Sequence, residues 1–84
     1  MALKKTIRKY GFDFEYHMIS RYDYEKRDNK TLFEVSLYKN KEARDADIND
    51  FVEVFNFTLP DEVSMVGCYN YLKTLPMYKD AEDC

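Results

Sequence analysis

From residue 12 to residue 25, large apolar side chains recur at every second position, with charged side chains between them. The apolar set is Phe12, Phe14, Tyr16, Met18, Tyr22 and Tyr24. Successive side chains of a β-strand point to opposite faces of a sheet, so this period predicts a long strand with one apolar and one charged face. The pattern blurs at Ile19-Ser20, where we predict a bulge.

Three further segments have strand character, and the ends of each carry turn signals. The predicted strands cover 3–9, 31–38 and 51–59, with a break at Tyr10-Gly11, a turn at 26–30 and a long exposed loop at 39–50. Phe33, Val35 and Leu37 share one face of the third strand. On the fourth strand, Phe55 and Phe57 share one face and Val54 lies on the other.

A helix is predicted over 61–75. Asp61 is a good N-cap residue, an apolar stripe of helical period follows it, and Pro76 ends it. Gly67 lies in the helix interior, where glycine is unfavourable, which suggests close packing on the sheet. The predicted fold class is therefore α+β, an antiparallel four-stranded meander followed by one C-terminal helix packed on one face.

Length and charge limit the function classes. The 84 residues predict a single domain over 1–84. The net charge of −3 provides no basic field for nucleic acid, and no apolar run is long enough to span a membrane. Two cysteines are too few for a disulfide framework, and Cys68 falls among apolar neighbours of the helix, as a core residue would. We expect a cytosolic protein unless it is carried in a larger assembly.

No arrangement of residues predicts catalysis or a cofactor. His17 is the only histidine; we place it on the polar face of its strand, in a surface or hydrogen-bonding role. Asp45, Asp47 and Asn49 match part of a calcium-binding loop, but Asp50 stands where that loop needs glycine and a strand follows. A solvated loop and weak calcium binding both remain open. The prediction is a protein that is not an enzyme, with no cofactor and no metal.

A protein without such chemistry acts through its surfaces. The second face of the predicted sheet is partly apolar, and the loop beside it is highly charged. The candidate interaction residues are Leu32, Tyr38, Glu42, Arg44, Asp45, Asp47, Val52 and Val54. The expected partners are a second copy of the chain, other proteins of an assembly, or a host protein.

The end of the chain is similar to that of a group of small proteins encoded by tailed phages and prophages. The similarity rests on the run Tyr71-Leu72-Lys73-Thr74-Leu75-Pro76 and on the acidic tail after it. The start of the chain, the Tyr16-His17 pair and the segment from Tyr38 to Arg44 resemble the group as well. Where members have a Glu-Phe-like pair after the proline, this chain has Met77-Tyr78.

The resemblance implies a phage origin, often among tail genes, and no activity. The first functional hypothesis is a small tail-associated virion protein, a homo-oligomeric structural subunit. The alternative is a phage inhibitor that binds a host defence or regulatory protein. The expected location is the phage particle or the host cytoplasm.

Overall fold

The computed structural model describes residues 2–49, 51 and 53–84. In chain order the elements are β1 Leu3–Lys9, β2 Phe12–Glu25, β3 Lys30–Tyr38, α1 Lys41–Ala46, β4 Glu53–Pro60, α2 Met65–Lys73, a 3₁₀ turn Pro76–Tyr78 and β5 Glu82–Asp83. The protein is an α+β domain. The predicted strands at 3–9, 12–25 and 31–38 are confirmed to within a residue at either end.

The strands form one antiparallel sheet in the order β4-β3-β2-β1-β5. Four of them follow the predicted meander, and the fifth was not predicted. β5 pairs with the start of β1, and Ala2 and Cys84 exchange backbone hydrogen bonds at 3.0 and 3.1 Å. The end of the chain is thus tied to its beginning. A strand of two residues shows no alternation of apolar and polar side chains, so this pairing between the two ends of the chain could not be predicted from the sequence.

The predicted bulge in β2 is confirmed. The pairing of β2 with β3 shifts register between Ile19 and Arg21, so Ile19 and Tyr22 lie on the same face although they are three residues apart. The Ile19 N–H donates a hydrogen bond to the Tyr69 hydroxyl of α2 at 2.9 Å. The helix therefore supplies the acceptor for an amide that the ladder leaves out.

The assignment of His17 to the polar face is wrong. β1 and β2 also lose regular register between Lys4 and Ile7, and His17 pairs with Leu37 on the face that α2 covers. Its side chain is fully buried. Period-two alternation assumes a regular ladder, and each irregularity turns the following residues to the other face.

We call the face covered by α2 the first face and the opposite one the second face. The main core lies between the first face and α2, where Cys68, Tyr69 and Leu72 are buried against the sheet. The sheet contributes Leu3, Phe14, Ile19, Phe33, Val35, Leu37 and Leu59, and the 3₁₀ turn contributes Tyr78. The predicted sharing of one face by Phe33, Val35 and Leu37 is confirmed, and Cys68 is the expected core residue.

The helix begins later than predicted. Ser64 is its N-cap, and the Ser64 Oγ accepts a hydrogen bond from the Gly67 N–H at 3.1 Å. Asp61 instead has a positive φ of 67° and accepts from the Asn29 side-chain amide at 2.9 Å, so it turns the chain out of β4. A Cβ at Gly67 would lie 2.7 Å from a Val63 methyl carbon. Its close neighbours are therefore Val63 and the N-cap Ser64, which lead into the helix, and not the sheet.

Candidate protein-interaction surface

The predicted loop at 39–50 contains α1, which begins with an N-cap at Asn40. The Asn40 Oδ1 accepts from the Ala43 N–H at 2.8 Å. We call residues 40–49 the α1 segment. It lies over one end of the second face, where Ala2, Tyr16 and Tyr38 form a small buried cluster. The predicted single interaction patch is therefore divided into a covered end and an open end.

Tyr38 does not belong to an exposed patch. Its side chain is fully buried, and its hydroxyl donates to the Ile48 carbonyl at 2.6 Å. Its ring contacts those of Tyr16 and Phe51 edge to face. Burial raises the pKa of Tyr38. The sequence showed an aromatic residue at a strand end but not the segment that folds back over it.

Arg44 holds the α1 segment to the sheet. Its guanidinium lies 5.4 Å from the centre of the Tyr16 ring and donates to the Tyr16 hydroxyl at 3.2 Å. It also pairs with Asp45 at 3.1 Å. Arg44 is therefore engaged within the protein, while Glu42 and Asp47 are exposed, and Glu42 lines a cavity of about 320 Å³ with Lys4 and Tyr16 of the sheet.

The partial calcium-loop pattern does not form a cluster in the described residues. Asp45 pairs with Arg44, and the Asp47 carboxylate accepts from the Asn49 N–H at 2.9 Å. Across residues 2–49, 51 and 53–84, no three His, Cys, Asp or Glu side chains come together as metal ligands. Asp50 and the candidate interaction residue Val52 lie outside the described residues.

Leu32 and Val54 both lie on the second face, where they are half-buried. Leu32 lies at the open end, whereas Val54 pairs with Ser36, nearer the covered end. A groove of about 480 Å³ crosses the open end, from β2 over β3 to β4. Its polar and apolar lining includes Arg21, Asp23, Leu32, Glu34, Asn56 and Thr58. Arg21 pairs with Asp23 at 3.1 Å, so the remaining charge of the groove is acidic.

Asn56, Thr58 and Glu34 were missed as candidate surface residues. The signal that could have found them is their alternation with the apolar residues of the first face on β3 and β4. The predicted meander already placed the fourth strand at an edge, so this signal was available in the sequence.

β4 forms one edge of the sheet, and its start is held by charges from β1. Glu53 accepts hydrogen bonds from Lys9 at 2.9 Å and from the Tyr10 hydroxyl at 2.8 Å. The hydrogen bond from Lys9, followed by that from Tyr10, lowers the pKa of Glu53. Lys9 also lies 4.9 Å above the centre of the Phe55 ring. These contacts neutralise the only charged side chain of β4 within the chain.

The buried His17 is tied to the C-terminal part of the chain. Its Nε2 lies 2.8 and 3.0 Å from the carbonyl oxygens of Lys5 and Phe14, so Nε2 must carry a proton. The Nδ1 lies 2.8 Å from the Tyr78 hydroxyl and, in the neutral ring, accepts a hydrogen bond from it. Burial lowers the pKa of His17 and raises that of Tyr78. This geometry serves the fold and leaves the imidazole inaccessible to a substrate.

Comparison with protein-family models, with curated proteins and with solved structures gave no match. None of the helices in the described part of the chain has the length and apolar character needed to cross a membrane.

Proposed function

We propose that this protein is a small tail-associated subunit of a phage particle, which acts by binding other proteins and catalyses no reaction. The resemblance of its ends to small proteins of tailed phages supports the phage setting.

The observation that carries the proposal is the open end of the second face together with the β4 edge next to it. The groove there combines the apolar Leu32 with polar side chains, and protein interfaces are likewise a mixture of apolar and polar surface. It is continuous with the outer side of β4, because Asn56 and Thr58 line both. A partner that covers them would also bury the half-exposed Val54.

Quantitative mass spectrometry of purified particles tests the virion proposal. The gene would be deleted from its phage and supplied again as wild type, as Glu34→Lys or as Glu82→Lys. Glu34 lines the groove, while Glu82 lies exposed on β5, at the other edge of the sheet. We expect a fixed copy number for the wild type and for Glu82→Lys, and loss of Glu34→Lys from the particle.

Absence of the wild-type protein from mature particles would refute the virion proposal. Equal incorporation of both variants would refute the assignment of the groove as the contact.

The exposed carboxylates of the α1 segment support a second candidate, a phage inhibitor of a host protein. Glu42 and Asp47 present carboxylates there, as a mimic of nucleic acid would. Capture from host lysate with wild type, with Glu42→Lys and with the control Glu82→Lys tests it. A single host protein retained by the wild type and the control but lost with Glu42→Lys would favour the inhibitor. If no host protein behaves in this way, the inhibitor is ruled out.

A further inference from the structure

The two edges of the sheet differ in how they are protected. Exposed strand edges are templates for pairing with another strand, and proteins usually block them with charges, bulges or short strands. β1 has four basic residues and a register irregularity, and β5 covers its start. The second half of β2, which extends past its pairing with β1, has the bulge and then Arg21, Asp23 and Glu25. Both stretches therefore carry such devices.

β4 has almost none of these devices. Its pairing with β3 runs without a shift from Glu53 to Pro60, and residues 54 to 59 are Val-Phe-Asn-Phe-Thr-Leu, all uncharged and mostly strong strand formers. Only Pro60 at the end of the strand lacks a backbone donor. β4 is therefore a regular, uncharged edge of the kind that another strand can join.

Two hydrogen bonds show which backbone groups point outward. The Asp61 N–H donates to the Asn29 carbonyl at 2.8 Å, in line with the β3–β4 ladder, while the Val54 N–H donates to Glu53 Oε1 at 3.0 Å. The backbone groups of successive residues point to opposite sides of an antiparallel strand, so Phe55 and Phe57 form their backbone hydrogen bonds with β3. Asn56 and Thr58 then direct their N–H and C=O groups to the outer side.

We propose that two copies of this chain pair their β4 strands antiparallel about a two-fold axis at Asn56, which makes one continuous ten-stranded sheet. The inference rests on the proposed function only for its biological setting, as a homomeric contact within the particle. In this register Asn56 opposes Asn56 of the second copy, and Val54 opposes Thr58 of the second copy. Both are hydrogen-bonded pairs of an antiparallel ladder. The outward groups of Asn56 form the first pair, and in the second pair the Val54 N–H exchanges its bond to Glu53 Oε1 for one to the Thr58 carbonyl of the second copy.

Side-chain chemistry selects a second copy as the occupant. The same register places Phe55 opposite Phe57 of the second copy on the first face, where both rings are half-exposed, and aromatic cross-strand pairs are favourable. No charge opposes a like charge over residues 54–59, and Glu53 is already neutralised by Lys9. One strand edge buries less area than a standard interface, so the dimer is reversible.

Sedimentation equilibrium of the purified chain tests the dimer. We expect a concentration-dependent dimer for the wild type and for Asn56→Thr, which keeps the outward N–H. Asn56→Pro removes that N–H without touching the bonds to β3 and should weaken the dimer by about tenfold or more. Circular dichroism confirms that each variant is folded. A wild type that stays monomeric up to about 1 mM, the weak end of specific association, would overturn the proposal.

Cysteine cross-linking tests the register and does not depend on the proline variant. In a Cys84→Ser background, Asn56→Cys places two thiols across the axis, where Cα atoms about 5.5 Å apart suit a disulfide. Thr58→Cys is the matched control, because its two copies lie about 14 Å apart along the strands. Oxidation should link only Asn56→Cys. Equal linkage of both variants would overturn the register. Neither assay uses particles, so the virion proposal stands or falls separately.

Discussion

Replacing Tyr78 with phenylalanine tests how the C-terminal part of the chain is held to the sheet. The Tyr78 hydroxyl is fully buried and donates to His17 Nδ1 at 2.8 Å, while His17 Nε2 is committed to two carbonyl oxygens. Tyr78→Phe leaves Nδ1 buried without a donor. An unsatisfied buried polar atom costs about 1 to 3 kcal/mol, so we expect a loss of that size in the free energy of unfolding at pH 7.

Urea unfolding followed by circular dichroism measures this loss. Tyr10→Phe is the matched control, because Tyr10 also donates a hydrogen bond from its hydroxyl, to Glu53 at 2.8 Å, but lies exposed. The control should change stability by no more than about 0.5 kcal/mol. Equal effects of the two substitutions would refute the role of the buried pair.

Acid should reduce the stability that the buried pair of His17 and Tyr78 provides. Burial lowers the pKa of His17 below its ordinary value of 6.5, so between these two values the unfolded chain binds a proton that the folded protein resists. Stability is therefore full above about pH 6.5 and decreases as the pH falls below it, by at most about 1.4 kcal/mol per pH unit. Glu53 acts at lower pH, because its pKa lies below 4.5. His17→Gln should be less stable than wild type but should not vary between pH 6.5 and 5. A wild type that is equally stable at pH 6.5 and at pH 5 would contradict the reasoning.

Three more substitutions test the helices. Leu72→Ala empties a fully buried position between α2 and the sheet and should cost about 2 to 5 kcal/mol in urea unfolding, whereas a loss below 1 kcal/mol would mean that the helix is loosely packed. Ser64→Ala removes the N-cap of α2 and should cost about 1 kcal/mol, with no comparable loss expected for Ser64→Asp, which keeps a capping oxygen. Arg44→Ala removes the contact between the α1 segment and Tyr16 and should speed amide exchange of residues 43–49 while leaving β3 unchanged. Uniform acceleration across the chain would argue against a local role.

The sequence pattern predicted the elements well where one period ran undisturbed. On β3, Phe33, Val35 and Leu37 face the core as expected, because the strand is regular and central. On β2 the alternation failed between Phe14 and Tyr22, and Tyr22 is again on the first face. Two irregularities change which face its residues occupy, and the bulge at Ile19 depends on an acceptor from Tyr69, fifty residues away in the chain. Local periodicity contains no information about such a partner.

The positions of the candidate interaction residues in the fold were also predicted only in part. Leu32 and Val54 do lie on the second face, because strand alternation placed them there. Tyr38 was misassigned because the α1 segment covers it, and that segment is held by the contact of Arg44 with Tyr16 rather than by an apolar helical stripe. The outward direction of the Asn56 backbone groups follows from the hydrogen-bonding register of β4 with β3, which only the folded sheet reveals.

Amide exchange of β4, measured residue by residue at increasing protein concentration, tests most directly whether this protein acts through its open sheet edge. Pairing with a second copy should slow exchange at Asn56 and Thr58, whose N–H groups point outward. Phe55 and Phe57, already bonded to β3, should change far less. Exchange at Asn56 and Thr58 that stays equally fast at every concentration would contradict the account.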